Sequence, residues 1–212
     1  FRSADGAAAV ENEIQALSHF DALKRLGVKY REAEGPLSNR EEAYMTRWAS
    51  KIPGMKASNR AYTNALNSLR FRVGNTIYDG WSAEKRARSG EQLAAFLNQG
   101  SGIGTLGPAE SLAPALNAAF FSPRNFAAKI QIPYNILLSP AGKGYGRDVG
   151  LIAAKDLTAF VATGAAVLGM MKLAGADVEL DPRSTDFGKG RWGPLRVDFW
   201  GGYQQIARYT AQ

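Results

Sequence analysis

The chain has 212 residues, enough to bury a sizeable core, and its 45% hydrophobic and 21% charged residues exclude wholesale disorder. It has no cysteine and one histidine, His19. That excludes a disulfide framework, a thiolate metal site, a cysteine nucleophile and any site needing two imidazoles. The net charge is +7, and residues 51–100 alone carry +5; clustered positive charge attracts phosphate or anionic headgroups, although a charge of this size also serves plain solubility.

Residues 4–26 read as one amphipathic helix, with Val10, Ile14, Leu17, Leu23 and Leu26 at roughly helical spacing and Gly27 as its stop. Asp5, Glu11, Glu13 and Asp21 within it argue against a signal peptide. Gly35-Pro36 signals a loop, and Ser38 is placed to cap a helix over 39–52 that ends at Pro53-Gly54. The clearest helix spans 57–80, with Ser58 as cap and Tyr62, Leu66, Leu69, Val73 and Ile77 as a single apolar stripe. Arg60, Asn64, Asn67, Arg70 and Arg72 fall off that stripe. A shorter helix over 91–98 buries Leu93, Phe96 and Leu97.

Residues 99–108 form a glycine-rich loop, followed by short helical pieces around 111–120 and 123–131. Pro133, Pro140, Gly142, Gly144 and Gly146 predict a long connection, and a helix returns over about 147–175. Leu195, Val197 and Phe199 alternate with Arg196 and Asp198, which predicts a hairpin over roughly 185–199. Gly201-Gly202 precedes a last helix over 203–211. The fold class is mainly α: an irregular helical domain with one long apolar helix and a small C-terminal β-hairpin. Phe1 in place of methionine, and Ala211-Gln212 without a stop signal, give the expectation that both ends are cut from a longer chain.

Several motifs bear on chemistry. Gly102-Ile103-Gly104-Thr105-Leu106-Gly107 matches a dinucleotide fingerprint in letters, but a helix precedes it and Pro108 follows, so a plain loop is expected. Gly142-Lys143-Gly144 lacks the earlier glycine and the following hydroxyl of a phosphate loop. Asp177, Glu179, Asp181 and Asp186 gather carboxylates as a hard cation would want, yet with turn chemistry as the simpler account. His19 has no matched serine. No catalytic residue, metal or cofactor is expected.

Residues 157–171 form an uncharged run of 15, about 22 Å of helix against a hydrocarbon core about 30 Å thick. Lys155 and Lys172 are placed to snorkel, and Ala162, Ala165, Ala166 and Gly169 give small-xxx-small spacing. A fully buried core helix and a membrane segment are the two readings, the first favoured by the short length. The basic stretch 60–88 offers Arg60, Arg70, Arg72, Lys85, Arg86 and Arg88, interleaved with Tyr62, Phe71, Tyr78 and Trp81, as candidate DNA contacts. A solvated face is the alternative.

The C-terminal block is expected to be a structural clasp. Asp181-Pro182 fixes a turn across which Arg183 pairs with Asp186, and Trp200 is the anchor by which the hairpin covers helix 147–175.

Three segments carry a family resemblance. They are Ser58-Asn59-Arg60-Ala61-Tyr62 with Leu66-Asn67-Ser68-Leu69-Arg70; Leu116-Asn117-Ala118-Ala119-Phe120-Phe121-Ser122-Pro123-Arg124; and Asp181-Pro182-Arg183-Ser184-Thr185-Asp186-Phe187-Gly188-Lys189 with Asp198-Phe199-Trp200-Gly201-Gly202-Tyr203-Gln204-Gln205. In this order they resemble regions of the large polyvalent proteins of tailed phages, giant virion polypeptides packaged in the capsid and ejected with the genome. The resemblance covers residues 57–212, and 1–56 stands apart as N-terminal helices leading to an upstream part of a longer chain. It implies a place, the capsid interior or tail and then the host envelope, more firmly than a chemistry; with no cysteine, one histidine and no nucleotide loop, the expectation is a non-enzymatic structural segment of an internal virion or ejection protein. The implied partners are other copies of itself, other virion proteins, phage DNA, and the host membrane through 157–171, with no small-molecule substrate. The alternatives are a basic DNA-binding module, or a non-catalytic neighbour of a cell-wall lyase or virion RNA polymerase domain.

Overall fold

A computed structural model describes residues 4–31, 55–113, 116 and 122–211. The expected loop at 35–36 and helix at 39–52 lie outside the described residues, as does most of the 116–124 motif. The chain is mainly helical, with one long apolar helix and a small antiparallel sheet near its C-terminus. It divides into two compact units, Phe1–Gly150 and Leu151–Gln212.

In the first unit, α1 (Ala4–Gln15) and α2 (Phe20–Arg25) stand where one helix was expected. The break follows from α3 (Met55–Asp79): Asn75 Oδ1 accepts hydrogen bonds from the backbone N–H of His19 (2.9 Å) and from Ser18 Oγ (3.2 Å). A side chain from a neighbouring helix thereby captures groups that a continuous helix would keep for itself. Both short helices pack on α3. Ser58 lies inside α3 and is not its cap.

The face of α3 turned inward is not the one its apolar periodicity selects. Tyr62 is 64% exposed, and Leu69 and Val73 are exposed too, while Asn64, Asn67, Arg70 and Phe71 are buried. The reason lies in the N-terminal segment, whose backbone needs partners once it leaves α2. Asn67 both donates to Arg31 O and accepts from Arg31 N–H, Arg70 Nη1 donates to Lys29 O (2.5 Å), and Asn64 Nδ2 donates to Ala7 O (3.0 Å). Asn98 completes the set, accepting from Lys29 N–H and donating to Gly27 O, both at 2.9 Å. Burying an unpaired amide or carbonyl costs more than burying a satisfied asparagine such as Asn67, so this polar stripe goes inside; Asn64 ties down α1 instead, with its own Oδ1 left without a partner. Phe20, Tyr30 and Phe71 fill the space between with ring centroids 4.9–5.7 Å apart.

Helix α4 (Ala83–Gly100) is more than twice the expected length. It starts at Ser82, whose Oγ accepts from Lys85 N–H as an N-cap. Leu93, Phe96 and Leu97 form its buried side as expected. The 102–107 loop is close-packed at Gly104, where a Cβ would lie 2.4 Å from Ala128 N and 2.6 Å from Arg124 O. That glycine serves backbone approach and not phosphate binding.

Helix α5 (Pro123–Leu138) runs straight through Pro133, where a break was expected. A proline removes one N–H but leaves the rest of the ladder, and packing on α4 holds the helix together. Its polar anchor is a buried network in which Gln99 Oε1 accepts from Tyr145 Oη and from Asn135 Nδ2.

Helix α6 (Gly146–Leu173) begins in the first unit and continues into the second. There β1 (Asp177–Val178), β2 (Gly190–Trp192) and β3 (Leu195–Val197) form an antiparallel sheet in that order, one strand more than the expected hairpin. Gly193 at φ +56° occupies the first turn position between β2 and β3, where a two-residue hairpin favours glycine. Helix α7 (Tyr203–Ala211) closes the chain at the expected residues.

Candidate functional site

The cations of the basic stretch of α3 and α4 are largely engaged by other groups of the protein. Arg70 is 1% exposed and cannot reach a phosphate backbone; burial, with Arg31 nearby, pulls its pKa down to about 10. Arg72 pairs with Glu13 at 2.6 Å. Arg86 donates to the carbonyls of Tyr78 (2.7 Å) and Asp79 (3.0 Å) and lies over the Tyr78 ring. Lys85 (3.4 Å) and Arg88 (2.8 Å) converge on Asp148 in the first turn of α6, and Lys85 also sits over Trp81. Arg60 makes a further interaction within the protein. A solvated basic face was one expectation, and Arg72 and Arg88 do stay more than half exposed; Arg72, Lys85, Arg86 and Arg88 also brace one helix against another.

Asp148 is the centre of that bracing. Hydrogen bonds from Arg88 first, then from Ser89, hold its pKa at about 2, below its ordinary 3.8. A carboxylate with a depressed folded-state pKa stabilises the fold above its unfolded value, and that stability disappears as pH falls through the folded value. Acid unfolding followed by circular dichroism is therefore expected to steepen between pH 4 and 2 by roughly this one group. Asp148→Asn flattens that window, and an unchanged slope would place the titrating charge elsewhere.

His19 Nε2 meets Asp79 Oδ1 at 3.2 Å beside the edge of the Tyr78 ring, while the adjacent Ser18 hydroxyl donates to Asn75. The pair links α2 to α3 and delivers no hydroxyl for acyl transfer. The acidic residues of the C-terminal block are likewise committed to neighbours. Asp177 pairs with Arg191 (2.6 Å), Asp186 with Lys189 and Arg196 (both 3.5 Å), and Glu179 Oε1 accepts from Asp181 N–H. Among the described residues no group of three His, Asp or Glu side chains is placed to hold a metal ion.

The clasp takes a different internal pairing from the one expected. Arg183 binds Asp181 (3.1 Å), two residues away, and leaves Asp186 to Lys189 and Arg196. The 181–183 turn folds Arg183 back so that its own N–H and its guanidinium both reach the same carboxylate. Trp200 does meet α6. Its ring lies so close to Gly164 that a Cβ there would sit 2.4 Å from it; it meets Phe160 edge-on at 5.6 Å and donates Nε1–H to Gly188 O at 2.7 Å. Leu168, Met171 and Ala176 form the core of this unit under Val178, Trp192, Val197 and Phe199.

Beyond that contact α6 is open. Only 17% of its most apolar stretch is buried, at a mean hydropathy of 1.6, and Leu173 is 91% exposed. A fully buried core helix was the favoured reading, and exposure overturns it: the sheet covers one face only. Two further apolar faces are uncovered. One is the α3 stripe, beside a shallow groove of about 270 Å³ at Val73 and Ile77. The other, unforeseen in the sequence, is a row on α5 of Phe126, Ile130, Tyr134 and Leu137. Its spacing of four, four and three was legible, but Pro133 in its midst masked it.

The chain matches no known family model, no curated protein and no solved structure.

Proposed function

We propose that the chain is a structural segment of a large tailed-phage internal virion or ejection protein, packaged in the particle, that acts by assembly and not by catalysis. The observation that carries assembly is the set of exposed apolar faces on α3, α5 and α6. A monomeric soluble domain seldom leaves several such faces uncovered, and covering them is what partners do. The phage assignment rests on the three sequence motifs. Two of them now have physical roles compatible with a scaffold: Asn67 and Arg70 tie down the N-terminal backbone, and 181–205 forms the clasp on α6. In this reading the partners are further copies and other virion proteins, with the host envelope as the destination.

Peptide mapping by mass spectrometry of the particles is the test. It is expected to recover this segment within a polypeptide far longer than 212 residues. A map confined to this segment, from a protein absent from particles, would sink the proposal. The DNA-binding alternative has less support, because phosphate would have to displace Glu13 and Asp148 from Arg72 and Arg88.

A further inference from the structure

Helix α5 is apolar on two opposite sides. Ala128 and Ile132 are buried on one, while Phe126, Ile130, Tyr134 and Leu137 stand in a row on the other, Leu137 79% exposed. A helix apolar all round is covered all round, by protein or by lipid. This row is about 17 Å long and convex, with large aliphatic and aromatic side chains.

The charges in its stretch of sequence have one sign. From residue 111 to 147 the sequence holds Arg124, Lys129, Lys143 and Arg147 and no aspartate or glutamate. Arg124 is taken by Glu110. Lys129 lies on α5 itself, and Lys143 and Arg147 follow just beyond its end. The next carboxylate, Asp148, is already bound to Lys85 and Arg88. Among the described residues Lys129, Lys143 and Arg147 are in no ion pair, although Arg147 Nε also donates to Pro140 O (3.3 Å), so an occupant apolar at its centre and anionic at its margins fits the row.

We propose that this face of α5 docks on an anionic lipid surface, with Phe126, Ile130, Tyr134 and Leu137 entering the boundary between headgroups and acyl chains and Lys129, Lys143 and Arg147 meeting lipid phosphates. An interfacial helix combines these features, an apolar row buried about 5–10 Å deep and a basic margin. Tyrosine suits that depth, since its ring is apolar and its hydroxyl stays wet. An acidic partner protein would satisfy the charges equally. Lipid is favoured because the same chain carries α6, whose exposed side is uncharged from Leu157 to Met171. The site is separate from α6 and does not depend on the phage assignment.

Co-sedimentation of the chain with phosphatidylcholine vesicles, with and without phosphatidylglycerol, tests it. Binding is expected to the phosphatidylglycerol vesicles, to weaken with added salt, and to be slight on phosphatidylcholine alone. The double variant Ile130→Glu/Leu137→Glu alters exposed positions and should keep the parent melting temperature while losing at least about tenfold in vesicle affinity. Lys129→Gln/Lys143→Gln/Arg147→Gln should reduce the difference between the two vesicle types. No vesicle binding, or binding indifferent to both variants, would overturn the proposal. So would a concentration-dependent dimer abolished by Ile130→Glu/Leu137→Glu, which would make the face an interface between copies.

Discussion

Gly144→Ala is expected to lower the stability of the first unit by about 3–5 kcal/mol, an unusually large effect for one added methyl. Two separate penalties act there. Gly144 sits at φ +58°, a left-handed conformation that costs an L-residue roughly 1–2 kcal/mol. Its Cβ would also lie 2.4 Å from Asn135 O and 2.9 Å from Asn135 Cα, and these are backbone atoms of α5 that cannot swing aside. Moving them disturbs the next residue as well, because Tyr145 is buried and donates to Gln99, which Asn135 also reaches. Gly142→Ala is the control: φ is +74°, but the space around it is open, so only the conformational penalty of roughly 1–2 kcal/mol applies. Urea unfolding of both variants separates the two terms. Equal losses would mean that α5 does not press on Gly144.

Trp200→Ala is expected to destabilise the second unit by about 2–4 kcal/mol, somewhat below the cost for a fully buried ring because Trp200 is half-buried. The loss combines apolar contact with Gly164 and Phe160 and an unpaired carbonyl at Gly188. The same contact predicts a reciprocal effect. Gly164→Val forces a side chain into the space the indole occupies and should destabilise by a comparable amount, whereas Gly164→Val/Trp200→Ala should be milder than the sum of the singles, since removing the ring makes room. Thermal unfolding of the four proteins measures the coupling. Strict additivity would show that the ring and Gly164 do not meet, and the clasp would lose its anchor.

The 116–124 motif falls mostly outside the described residues, so of the three resembling segments only the first and third are placed in the fold. The candidate DNA contacts show why spacing alone misleads. Arg70 and Arg72 are two residues apart on one helix, yet one is buried against Lys29 O and the other is exposed and paired with Glu13.

The sequence by itself determined what depends on near neighbours in the chain. The helical class, the buried side of α4, the Gly193 hairpin, the α7 bounds and the turn at Asp181-Pro182 follow from local periodicity, glycine and proline, each acting over a few residues. Tertiary structure decided which face of each helix is inside. On α3 the apolar stripe lost to the face carrying Asn67 and Arg70, because the backbone at Lys29 and Arg31 takes its partners from those side chains. On α5 the helix outlasted Pro133 because α4 supports it. On α6 the apolar run stayed open because the small sheet covers only the side carrying Gly164, Leu168 and Met171. Periodicity reports that a helix has an apolar face; whether that face meets the core, a partner or lipid depends on what the rest of the chain must satisfy, and that information is not local.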